Sequence, residues 1–192
     1  MARLFTAIDL PMEIKHRLRL FVEPLRPLAK LRWSPIESLH ITTKFIGEWP
    51  ETQLEQLKDA LSSVPQNGAL EISIGGLGWF PDAIHPHVFW AGVQANRALT
   101  QLAQATGEAV ANLGVAAELR AYSPHLTLAR IGETAKLTAL RRAIEDAIEE
   151  KRATDFGHFR AGSFSLYHSV EGRYTPLATF PLSSSLSSPL SS

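Results

Sequence analysis

The chain has no cysteine among its 192 residues. That excludes a disulfide framework, a thiolate nucleophile and a thiolate metal ligand. Neither sign of charge is in surplus, because 19 Lys plus Arg balance 19 Asp plus Glu. Without a basic excess nothing points to a long nucleic-acid footprint, although one RNA end or one nucleotide needs only a local cationic patch. No stretch approaches about 18 uncharged apolar residues, so no membrane span is expected. The opening run from Met1 to Asp9 holds too few apolar residues in a row for a signal peptide, and the chain reads as soluble and cytoplasmic. What is present is an apolar share of 45%. That supports one globular domain with a substantial core, or two small lobes packed together.

One short string occurs twice. His40-Ile41-Thr42-Thr43 and His125-Leu126-Thr127-Leu128 are both His-x-Thr-x elements in strand-like surroundings. Turn-like approaches precede them: Ser34-Pro35-Ile36-Glu37-Ser38 before the first and Tyr122-Ser123-Pro124 before the second. Side chains on a strand alternate with a period of two, so His and Thr at i and i+2 share a face. Two such strands side by side would bring two imidazoles and two hydroxyls into one cleft, a set suited to acid–base work on a phosphate.

Around the motifs, hydrophobic period and punctuation outline the elements. Strands are expected at 3–9, 39–46, 70–74, 88–92, 118–122, 125–131, 161–167 and 174–180. Helices are expected from Pro11, broken near Pro24 and Pro27, and at 51–61, 94–113 and 134–152. Leu99, Leu102, Ala103, Thr106 and Val110 form the apolar side of the long helix. The order is a blurred repeat and predicts an α+β, bilobal, internally duplicated fold: two small antiparallel sheets backed by helices, with a central active-site groove. The expected domain runs over 1–180, and the Ser/Leu/Pro tail over 181–192 is read as disordered.

Other features carry less. Gly75-Gly76-Leu77-Gly78 lacks the Lys-Ser/Thr of a P-loop and the following helix of a dinucleotide fingerprint, and reads as a turn with a bulge. His85-Pro86-His87 has the spacing of a metal pair, but without cysteine or an adjacent carboxylate it does not read as a zinc site. His16 and His158 read as surface residues, His168 as a rim residue, and Trp33 and Trp90 as packing between lobes.

With its flanks, the doubled motif resembles the 2H phosphoesterases, and within them the RNA 2′,3′-cyclic phosphodiesterases historically called 2′-5′ RNA ligases. The resemblance covers about residues 3–180. It rests on Arg3 to Ile8, Arg32-Trp33-Ser34-Pro35 running into His40 to Gly47, Phe80-Pro81 with Pro86 to Trp90, Tyr122 to Arg130, and Phe164 to Ser169. The chain departs from the family pattern in three places. Thr43 replaces an apolar residue, His87 replaces an arginine, and Ile36-Glu37-Ser38 replaces a Pro-Glu-rich turn.

The resemblance implies hydrolysis of RNA or nucleotide 2′,3′-cyclic phosphate ends to 2′-phosphomonoesters, with reversible 2′-5′ ligation as a secondary activity. It implies no cofactor, no metal, no membrane and no obligate protein partner. It makes His40 the proton donor and His125 the proton acceptor; the residues alone leave that direction open. Thr42 and Thr127 would donate to the phosphate oxygens. Arg130 is a candidate phosphate contact, although its odd offset from His125 puts it on the opposite face unless the strand bends. Lys44, at an even offset from His40, is a candidate on the His40 face. The alternative is a non-catalytic module that binds RNA ends or nucleotides, which would keep the threonines but tolerate loss of a histidine.

Overall fold

The computed structural model describes residues 1–65, 68–118, 120–150 and 154–182. Strand β1 (Ala2–Asp9) is buried on both faces. Leu4 and Ile8 enter the main core, whereas Phe5 and Ala7 join Tyr167 in a second, smaller cluster on the other side. This two-sided burial makes β1 an interior strand. It pairs antiparallel with β3 (His40–Trp49) and with β8 (Ser163–Val170), and β8 pairs with β9 (Arg173–Pro181). The first sheet therefore has the order β3-β1-β8-β9. The second has the order β2-β6-β5-β4-β7, built from β2 (Arg32–Trp33), β4 (Leu70–Phe80), β5 (Val88–Ala95), β6 (His125–Arg130) and β7 (Asp155–Ala161).

Both sheets carry a motif strand beside the strand that precedes it through a helix. β1 leads through α1 (Met12–Val22) to β3, and β5 leads through α3 (Arg97–Ala111) to β6. The helices form for readable reasons. Asn96 caps α3 by accepting from the Ala98 amide, and the expected stripe of Leu99, Leu102, Ala103, Thr106 and Val110 is the buried one. In α1 the buried stripe is Ile14, Leu18 and Val22. The chain then tightens into a 3₁₀ helix over Glu23–Leu28, where Pro24 and Pro27 remove donors from the α-helical ladder. The other helices are α2 (Leu54–Ser62) and α4 (Thr138–Glu149).

Several expectations need correction. The last hairpin does not stay with the second half of the chain but completes the first sheet beside β1. β7 and the two-residue β2 went unread, because neither alternates over enough residues to show a period. The glycines at 75–78 make no turn, because β4 runs through them, but the expected bulge is there as a register shift between Ile74 and Leu77. Gly78 leaves room for the Trp90 indole, which an added Cβ would meet at 2.1 Å. No strand forms among the described residues of 118–122. Helix α4 starts at Thr138 rather than 134, and 151–152 lie outside the described residues. The fold also runs past 180, since Pro181 ends β9 and Leu182 is buried, its amide donating to the Gly162 carbonyl. The rest of the expected tail, 183–192, lies outside the described residues. No described helix is long and apolar enough to cross a membrane.

Candidate active site

The two His-x-Thr strings open β3 and β6, which touch across the two sheets. Beside them lies a cleft of about 1040 Å³. Thr42, Lys44 and Phe45 line it from β3, His125 and Tyr122 from the second motif, and Gln104 and Gly107 from α3.

Both histidines are held in the same way. Nδ1 of His40 donates to the Ser38 carbonyl at 2.8 Å, and Nδ1 of His125 donates to the Ser123 carbonyl at 2.8 Å. A carbonyl only accepts, so each ring keeps its proton on Nδ1 and leaves Nε2 as the working nitrogen. The turn-like approaches thus supply a ring-orienting acceptor two residues before each histidine. The rings differ in their surroundings. His40 stacks on Phe5 at 4.8 Å between centroids and meets the edge of Tyr174 at 5.0 Å. His125 meets Phe80 edge-on at 4.9 Å. Burial lowers the His40 pKa from the ordinary imidazole value. The Ser38 carbonyl and Asp9 pull it upward, while Lys15 and His125 push it down. A proton on His125 therefore disfavours a proton on His40. Asp9 stands opposite His40 in the β1–β3 register, and both its oxygens accept from the Tyr167 hydroxyl, at 2.6 and 2.7 Å.

Simple alternation fails at the same point in both motif strands. On β3, Ala7 pairs with Thr42 but Thr6 pairs with Lys44, leaving Thr43 as an extra residue. On β6, Trp90 pairs with Thr127 but Phe89 pairs with Ala129, leaving Leu128 as an extra residue. Each is a β-bulge three residues after the histidine. The extra residue moves the following ones out of phase. Arg130 pairs with Val88, two residues from Trp90, and so lies on the face of His125 and Thr127. Phe45 pairs with Phe5 and stacks parallel to it at 6.3 Å, so it lies on the His40 face. Lys44 pairs with Thr6 instead and leaves that face, correcting the reading from its even offset; it lines the cleft without sharing the alternation of His40 and Thr42.

Thr43 is 4% exposed, and its hydroxyl lies 2.7 Å from that of Thr6, itself fully buried. A polar residue at this apolar position is thus matched by a second hydroxyl. Reading by sequence alone missed Arg32, which stands directly opposite Arg130 in the β2–β6 pair. Like charges directly opposite each other across a ladder repel, and a bound anion would relieve that repulsion. His87, where the family has arginine, lines the cleft and is exposed, as are His16, His85 and His158. His168 is partly buried. Trp90 tilts against Phe80, and Trp33 packs edge-on against Phe89. Among the described residues no three His, Cys, Asp or Glu side chains cluster closely enough to hold a metal ion.

Comparison with known proteins agrees with this architecture. Residues 14–173 match the family model of the 2′-5′ RNA ligase superfamily. A Methanocaldococcus jannaschii protein named RNA 2′,3′-cyclic phosphodiesterase is 35% identical over 168 residues, covering 88% of this chain and 91% of the relative. A protein of the same name from Archaeoglobus fulgidus is 29% identical over 168 residues, with the same coverage. Among solved structures, E. coli LigT complexed with 3′-AMP superposes with a TM-score of 0.75 at 26% identity, covering 95% of this chain and 98% of that one. With two antiparallel sheets, a duplicated His-x-Thr strand and a family match over most of its length, the chain belongs to the 2′-5′ RNA ligase superfamily.

Proposed function

We propose that the protein is an RNA 2′,3′-cyclic phosphodiesterase that opens the cyclic phosphate with two histidines and no metal. The observation that carries this reading is the matched pair of rings. Each imidazole opens a bulged strand, donates an Nδ1–H hydrogen bond to the carbonyl two residues earlier, and shares its face with a threonine two residues later. The alternative of a pure binding module leaves that twofold ring orientation without a purpose. The names of the relatives support the substrate class.

In the proposed reaction a water oxygen attacks phosphorus in line with the 3′ oxygen. Nε2 of His125 takes the water proton. The P–O3′ bond breaks, and Nε2 of His40 gives its proton to the departing oxygen, leaving a 2′-phosphomonoester. Thr42 and Thr127 donate to the non-bridging oxygens as charge builds there. Arg130 and Arg32 supply charge-assisted contacts to the phosphate end of the substrate, and Lys44 is a rim cation. Burial favours neutral His40 in the free protein, and a bound phosphate anion reverses that preference. His40 therefore takes up its proton together with the substrate. The same ring opening with a 5′ hydroxyl in place of water, P–O3′ again breaking, would form a 2′-5′ bond, and we assign it as a secondary activity.

The test is hydrolysis of a nucleoside 2′,3′-cyclic phosphate in excess chelator, with the product read by phosphorus NMR. The expected product is the 2′-phosphate at an undiminished rate. No turnover between pH 5 and 8 would sink the enzymatic reading. Loss of activity in chelator would sink the metal-free step, and a 3′-phosphate would exchange the two histidine roles.

A further inference from the structure

Two hydrogen bonds cross between the motifs, and they are reciprocal. The Ser34 hydroxyl, in the approach to the first motif, donates to the carbonyl of Thr127 in the second at 2.7 Å. The Tyr122 hydroxyl, in the approach to the second motif, donates to the carbonyl of Thr42 in the first at 2.9 Å. Each approach thus orients its own histidine, through Ser38 or Ser123, and grips the threonine of the other motif. The Ser34 side is continued by backbone pairing: the Ser34 amide donates to Leu128, and β2 pairs with β6. The strand leading to the first motif is therefore stitched to the sheet of the second. Tyr122 reaches across the cleft with a partly buried hydroxyl, and burial raises its pKa, so it stays a donor at all ordinary pH.

We infer that Ser34 and Tyr122 are positioning residues that together set the spacing between the two catalytic strands. Neither hydroxyl hydrogen-bonds to a catalytic side chain; each fixes a backbone carbonyl within a His-x-Thr element. Because the motif strands lie in different sheets, no shared ladder of hydrogen bonds holds β3 against β6. The crossed pair supplies that constraint at the threonines. The inference rests on the two-histidine reading, since spacing matters only if both strands act on one phosphate.

The test uses Tyr122→Phe, Ser34→Ala and Ser34→Thr in the full chain, after wild-type turnover of a nucleoside 2′,3′-cyclic phosphate has been measured. Absence of wild-type turnover would count against the functional reading alone. Tyr122→Phe and Ser34→Ala should each lower kcat at least about tenfold with KM within about threefold, because misplacement of about 1 Å can cost about 100-fold. Ser34→Thr keeps the hydroxyl on an extended residue before proline and should return kcat to within about threefold of wild type. Amide hydrogen exchange without substrate gives a readout independent of activity. Tyr122→Phe should loosen residues 40–45, and Ser34→Ala should loosen residues 125–130, so each change appears in the motif remote in sequence. Wild-type kcat in both hydroxyl deletions would overturn the inference. So would loosening confined to the mutated approach. If Tyr122→Phe does not fold, the Ser34 pair decides the matter by the same criteria.

Discussion

Replacing Arg130 with Ala should cost more than replacing Lys44 with Ala, although sequence spacing alone favours the lysine. The bulge at Leu128 returns Arg130 to the face of His125 and Thr127, while the bulge at Thr43 takes Lys44 off the face of His40. A hydrogen bond between a charged donor and a phosphate oxygen belongs to the stronger class of such bonds. Arg130 is exposed, so solvent screening places it at the low end of that class, and kcat/KM should fall about tenfold. Lys44 at the rim should change kcat/KM no more than about fivefold, within the range of an exposed ion pair. Arg32→Ala should also lower kcat/KM by about five- to tenfold. Its thermal stability should not fall, because the substitution removes a like-charge pair from the β2–β6 ladder. The assay is initial-rate hydrolysis of a 2′,3′-cyclic phosphate at low salt and near 1 M salt, with a melting curve for each variant. The Arg130 effect should shrink at high salt, where the Debye length falls to about 3 Å. A Lys44→Ala loss equal to or larger than that of Arg130→Ala would refute the reasoning from register. An Arg32→Ala variant that lost stability instead would show that the facing arginines are not a repulsive pair.

Replacing either His40 or His125 with Ala should lower turnover at least about 100-fold while the fold persists, as measured by kinetics beside circular dichroism; residual activity within tenfold of wild type would remove that histidine from the mechanism. In the free protein burial lowers the His40 pKa below the ordinary imidazole value of 6.5, so kcat/KM should decline as pH rises through that lowered value. Bound phosphate raises the pKa, so the high-pH limb of kcat should lie at higher pH than that of kcat/KM; coincident limbs would contradict proton uptake with substrate. Thr6→Val leaves the buried Thr43 hydroxyl without its partner and should cost about 1–3 kcal/mol in denaturant unfolding. The Thr6→Val/Thr43→Val double variant should recover most of that loss, and failure to recover would show that the hydroxyl pair is not the source.

The strand period of two was enough to place His40 with Thr42 and His125 with Thr127, because that relation needs only the residues of one short strand. The stripe of α3 was legible for the same reason: its five apolar positions repeat at helical spacing within a single element. Absence of cysteine ruled out thiolate chemistry on composition alone. Beyond Thr42 and Thr127 the local rule stops working. A bulge is a property of the register between two strands, and the partners of β3 and β6 are β1 and β5, each separated from its motif strand by a whole helix. Only that pairing moved Arg130 and Phe45 onto the site faces and took Lys44 off. The return of β8 and β9 to the first sheet, the facing of Arg32 and Arg130, and the crossed grips of Ser34 and Tyr122 likewise join residues remote in the chain. Composition and local period named the groups able to do the chemistry; pairing between strands remote in the chain decided which of them share a face.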